Sequence, residues 1–112
     1  MILLISARDQ HLDSPTDNRF GRSPWLIRID TKTNQWKAFP NPGASQSGGA
    51  GVAAGQFAVD QQADVVISGD FGPNASSTLR AANVEMRLLT GEISTVQQAV
   101  EFFLQGKLPV MN

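Results

Sequence analysis

The sequence predicts an α/β domain, a mixed five-stranded sheet with helices on both faces and an antiparallel hairpin at one side. Three observations carry that expectation. Met1–Ser6 (MILLIS) and Val65–Ile67 are unbroken apolar runs of strand length, as central strands covered on both faces require. Trp25–Asp30 (WLIRID) and Gln35–Phe39 (QWKAF) flank the turn Thr31-Lys32-Thr33-Asn34, a hairpin pattern. Beyond the hairpin, segments with apolar residues at helical spacing alternate with short strand-like runs, which reads as βαβα with right-handed crossovers.

A chain of 112 residues, 41% of them hydrophobic, suits one domain over 1–112 with a single core region. Nine Lys and Arg against ten Asp and Glu give a formal net charge of −1. With no basic stripe, nucleic acid is not an expected partner, because phosphate neutralisation needs clustered cations. The absence of cysteine excludes disulfides, thiolate metal sites, cysteinyl iron–sulfur ligation and a cysteine nucleophile. Met1–Ile5 is too short for a signal h-region or a membrane span, so a cytoplasmic protein is expected.

The first strand runs into a polar loop, Ala7–Ser23, that contains His11, Asp13, Ser14, Asp17, Arg19, Phe20, Gly21 and Arg22. Unstructured connections of that length are more often functional than ordinary ones. Phe20 is expected to plug the core and Gly21 to turn the chain, with Arg19 and Arg22 flanking that fixed point. Either arginine could face a bound anion as a forked donor, or pair with Asp13 or Asp17 inside the loop. In the hairpin, Lys37 beside a proline exit marks the sheet edge. Asn41–Gly51 (NPGASQSGGAG) has five Gly or Pro residues in eleven and is expected to be a mobile loop. It opens onto a helix, Ala50–Gln61, with Ala50, Ala53, Ala54, Phe57 and Ala58 on one face. Gly49–Ala54 matches the dinucleotide pattern G-x-G-x-x-A, but a Pro- and Ser-rich loop stands where that fingerprint needs a strand.

Ala63–Ala75 (ADVVISGDFGPNA) is the stretch around which the chain is organised: a buried strand, a glycine turn and a helix start. Gly69 and Gly72 permit conformations closed to other residues, and Pro73 suits a first helical position. Such a corner offers backbone N–H groups and the positive end of a helix dipole to an anion, or it is simply a tight connection. Ala75, Leu79 and Ala82 mark the apolar face of this second helix. Val84–Leu89 is the last strand. Ser94 with Gln97 forms a capping-box pattern for a third helix whose stripe is Val96, Ala99, Val100, Phe103 and Leu104, and Gly106 ends it. Ligands of such sheets gather beyond the carboxyl ends of the parallel strands, here Ala7–Arg22, Gly69–Asn74 and the Gly48–Gly51 loop.

Catalytic constellations are sparse. His11 is the sole histidine, and Ser14, Ser68 and Ser76 have no evident base. Two-metal nuclease chemistry on a sheet of this order needs carboxylates on central strands, and the two apolar runs carry none. An enzyme is therefore not expected.

Taken together, Ser14-Pro15, Arg19–Pro24 (RFGRSP), Asn41-Pro42 with Gly48-Gly49-Ala50-Gly51, Asp64-Val65-Val66 with Gly69, Gly72, Pro73, Asn74 and Ala75, and Thr95-Val96 through Gly106-Lys107-Leu108 resemble the dinitrogenase iron–molybdenum cofactor-binding domain family. The matching pieces run in order over nearly the whole chain. The resemblance implies a ribonuclease H-like, three-layer αβα fold and a non-catalytic role in nitrogenase cofactor biosynthesis. Its cargo would be the anionic iron–molybdenum cofactor or an iron–sulfur precursor cluster, handled together with other cofactor-assembly proteins. Gly48, Gly49, Gly69, Gly72 and Asn74 would form the amide cradle, Arg22 with Arg19 the charge anchor, and His11 a metal ligand. Two further readings use the same loops: a regulatory or assembly module binding a partner protein, and a site for a small phosphate-bearing metabolite.

Overall fold

The computed structural model describes residues 1–111. Five strands, β1 (Ile2–Ala7), β2 (Trp25–Asp30), β3 (Trp36–Pro40), β4 (Val65–Ser68) and β5 (Glu85–Leu88), form one sheet in the order β3-β2-β1-β4-β5. β2 is antiparallel to both β1 and β3, whereas β1, β4 and β5 run parallel. Three helices, α1 (Ala50–Asp60), α2 (Gly72–Ala81) and α3 (Val96–Leu104), cover the two faces, so the three-layer α/β expectation holds. Among the described residues no helix is long and apolar enough to cross a membrane.

The strand pleat sorts the apolar runs into two cores. Leu3, Ile5, Val65 and Ile67 meet Val96, Ala99 and Val100 of α3 on one face. On the other, Leu4, Leu26, Val66 and Met86 meet Ala54 and Ala58 of α1 and Ala75 and Leu79 of α2. The registers Leu3↔Val65, Leu4↔Val66 and Ile5↔Ile67 place like-facing residues side by side, and a slip of one residue would expose both sets. β3 is an edge strand, as Lys37 and the following proline predict. The hairpin turn closes through Asn34, whose φ of 60° is a conformation that asparagine tolerates.

Several local expectations shift. Thr95, not Ser94, is the N-cap of α3, and its partner is Gln98, not Gln97. Gln98 Oε1 accepts from the N–H groups of Ser94 and Thr95 and from the Ser94 hydroxyl, whereas the Gln97 amide bonds Glu101 on the exposed side. Leu104, at the end of α3, is 61% exposed and outside the buried stripe, and Ala82 is the exposed C-cap of α2. α2 begins at Gly72, so Pro73 occupies its second position.

The expected loop 41–51 contains a 3₁₀ turn, Pro42–Ser45. Buried Asn41 holds it: its side-chain amide donates to Phe20 O (2.9 Å) and Ser23 Oγ (3.1 Å) and accepts from the Gly43 N–H (2.9 Å). Gly43 packs so tightly that a Cβ there would run into the carbonyl oxygens of Gly21 and Ala50.

The long loop between β1 and β2 is likewise tied down, along both faces of the sheet edge. On the α3 side, the Val96 N–H donates to Ser14 O (3.0 Å), the Gln97 N–H to Leu12 O (2.8 Å) and the Thr16 N–H to Ser94 O (3.1 Å). On the other side, Phe20 is fully buried, with its ring 5.4 Å from that of Phe71, so the expectation that Phe20 plugs the core holds.

Candidate functional site

Two serines at the carboxyl ends of β1 and β4 fix the approach to the site. Ser6 Oγ donates to the Asp17 carbonyl (2.5 Å) and Ser68 Oγ to the Asn18 carbonyl (3.2 Å), with the two hydroxyls 2.7 Å apart and buried. Two apolar strands therefore carry hydroxyls at or next to their last positions, and each donates to a carbonyl of the β1–β2 loop. The backbone adds Asp17 N–H to Ser6 O (3.0 Å), Asp70 N–H to Asn18 O (2.5 Å) and Phe20 N–H to Asp70 O (3.0 Å). Residues 17–20 thus run alongside the turn that follows β4. Gly69 has no side chain because the Asn18 side chain fills that space.

The result is a cleft of about 260 Å³ lined by Arg19–Arg22, Ala50–Gly51 and Asp70–Ala75. Its floor is close-packed backbone: a Cβ on Gly51 would lie 3.0 Å from Ala75 N, and one on Gly21 would lie 3.3 Å from Gly51 N. Arg19 is held by the loop itself. Asp17 Oδ1 accepts the Arg19 backbone N–H at 2.8 Å and lies 3.5 Å from its guanidinium Nε, while the Arg19 side chain stays 67% exposed. Arg22 is in no ion pair among the described residues; its guanidinium donates to the Gln46 carbonyl and so joins the loop after β3 to the cleft. At the start of α2, Gly72 has φ 72°, its N–H donates to Asp70 Oδ1 at 3.2 Å, and Pro73 has no N–H. No acidic side chain sits in the first turn of α1 or α2, the two helices whose N-termini adjoin the cleft. Two arginines and the positive ends of two helix dipoles therefore border the cleft, a setting that favours an anion, with the Asp70 carboxylate at the start of α2 the one acidic side chain in the lining.

Of the residues singled out from sequence, Arg19, Arg22, Gly72 and Asn74 line this cleft. Gly69 lies behind it, against Asn18. Gly49 caps α1 with φ 75° and precedes the lining residue Ala50; Gly48 and Gly49 themselves stand outside. His11 is exposed on the β1–β2 loop, outside the lining, with its backbone N–H held by Ser14 Oγ (2.8 Å). Among the described residues no group of three or more His, Asp or Glu side chains could hold a metal ion. Sequence reasoning placed Asp70 within the Gly69–Asn74 stretch expected to gather ligands but gave it no role of its own. The available signal was its place two residues past the end of β4, where the chain must turn over the end of the sheet.

Fold and cleft define a class: a small αβα protein with an arginine-lined cleft beyond the carboxyl ends of its parallel strands. The chain belongs to the dinitrogenase iron–molybdenum cofactor family, whose model matches residues 1–106. It is similar to the apo form of the orange protein from Desulfovibrio gigas, with 33% identity and a TM-score of 0.90 over 97% of this chain and 91% of that one. It is also similar to a candidate NifB protein from Thermotoga assigned to the DUF35 family, at 28% identity and a TM-score of 0.85 over 98% of this chain and 92% of that one. No curated protein sequence matches it.

Proposed function

We propose that this protein is a non-catalytic carrier for an anionic iron–molybdenum–sulfur cofactor or its iron–sulfur precursor cluster, exchanging it with other cofactor-assembly proteins in the cytoplasm. The observation that carries the reading is the convergence of Arg19, Arg22 and the N-terminus of α2 on one cleft in a chain of this family. A cluster supplies its own iron and sulfide, so it needs charge complement and orientation from the protein more than a full set of ligands. The cleft fits that need: guanidinium groups face sulfide charge, and the small Gly51, Gly72 and Ala75 let a bulky polyatomic anion approach the backbone. A site with two arginines, no histidine and one carboxylate is poorly equipped for general acid–base hydrolysis, which agrees with a carrier.

The test is anaerobic gel filtration after titration with isolated iron–molybdenum cofactor and, separately, with precursor cluster, following iron and molybdenum with the protein peak. The expected result is stoichiometric retention of one of the two. Replacing Arg22 by Ala should weaken retention about tenfold, the equivalent of one charge-assisted hydrogen bond. Folded protein that retains neither would overturn the carrier reading and leave the partner-binding role.

A further inference from the structure

Among the residues that line the cleft, one side chain can give an anionic ligand to a metal ion, and it is Asp70. The others are arginines, apolar or glycine residues, Pro73 and the neutral amide Asn74. The Asp70 backbone is fixed on both sides, by its N–H on Asn18 O and its carbonyl under the Phe20 N–H. Its Oδ1 accepts the Gly72 N–H at 3.2 Å, which orients the carboxylate at the start of α2. Among the described residues, Oδ2 has no hydrogen-bond or ion-pair partner. The Asp70 carboxylate is exposed and neither arginine pairs with it, so Oδ2 is open to a metal of a cluster bound in the cleft.

Resting on the carrier reading, we propose that Asp70 is the protein's ligand to the cluster: Oδ2 binds one iron or molybdenum while the guanidinium groups of Arg19 and Arg22 face the sulfides. The chemistry suits a carrier. A lone oxygen ligand holds a sulfur-bound metal less firmly than a thiolate, so the cluster is oriented in the cleft yet readily passed on. In this arrangement His11, remote from the lining, has no part in ligation.

The sign of one substitution separates ligation from repulsion. Asp70→Asn keeps a side-chain oxygen to accept the Gly72 N–H but loses the anionic ligand. If Asp70 ligates, Asp70→Asn weakens cluster retention about tenfold or more, since even residues that merely support a metal ligand give effects of that size. The electron paramagnetic resonance spectrum of whatever cluster remains bound then changes as well. Asp70→Cys, which restores an anionic ligand, recovers retention with a new spectrum. If Asp70 only repels the anion, Asp70→Asn binds more tightly with an unaltered spectrum, and the proposal is overturned; equal retention with an unaltered spectrum overturns it too. A wild-type protein that retains no cluster rejects the carrier reading itself, a result distinct from either.

Discussion

At the scale of single residues, the cleft depends on side chains that never touch it. Asp17 is buried and holds both the backbone and the guanidinium of Arg19, so its two roles can be separated. Asp17→Asn retains an oxygen for the Arg19 N–H but removes the charge opposite the guanidinium. The expected outcome is a Tm within about 2 °C of wild type, because an ion pair with so exposed an arginine contributes little, together with a few-fold loss of cluster retention. Asp17→Ala leaves the N–H unmet as well, and thermal or urea unfolding should report a loss of about 1–2 kcal/mol. Asn41 acts in the same indirect way, joining the turn after β3 to Phe20 and Ser23. The Asp17–Arg19 pairing, between residues two apart, was one of the two alternatives legible in the sequence. The Asn41 partnerships were not, because they join residues far apart in the chain, whereas propensity and periodicity report only on neighbours along it.

At the scale of elements, legibility followed apolar continuity. The runs at Met1–Ser6 and Val65–Ile67 became the adjacent parallel strands β1 and β4, and Trp25–Asp30 became β2 without a shift at either end. Boundaries were less secure where two residues could serve one purpose. Ser94 and Thr95 both offer a hydroxyl to cap α3, and Gln97 and Gln98 both offer an amide; burial of Val96 rotates the helix so that Thr95 and Gln98 are the pair that meets. Thr95→Ala should therefore cost about 1 kcal/mol, lowering Tm by roughly 4–8 °C for a domain of this size, while Ser94→Ala leaves Tm nearly unchanged. Differential scanning calorimetry on the two variants distinguishes the pairings. The Asn41–Gly51 stretch misled for a related reason: its Gly and Pro content signals irregular backbone, yet the Asn41 side chain and the seat of Gly43 against neighbouring carbonyls hold part of it in place.

At the scale of the whole molecule, the sheet separates two cores, and only the α1–α2 side builds the cleft. The candidate site was legible as a place, the carboxyl ends of the parallel strands, because topology alone sets it. The membership of its lining was less so, since Gly48, Gly49, Gly69 and His11 are near it in sequence or topology but do not face it. One segment spans the divide. The loop that delivers Arg19 and Arg22 to the cleft also accepts, through Leu12 and Ser14, the first N–H groups of α3 on the opposite face. Ordering that loop from one end must then restrain it at the other, because the coupling between two linked equilibria is reciprocal. A filled cleft should slow amide hydrogen exchange at Val96 and Gln97, on the far side of the sheet, and the amount of slowing would measure how much of the cargo's binding free energy is stored as stiffness in the protein.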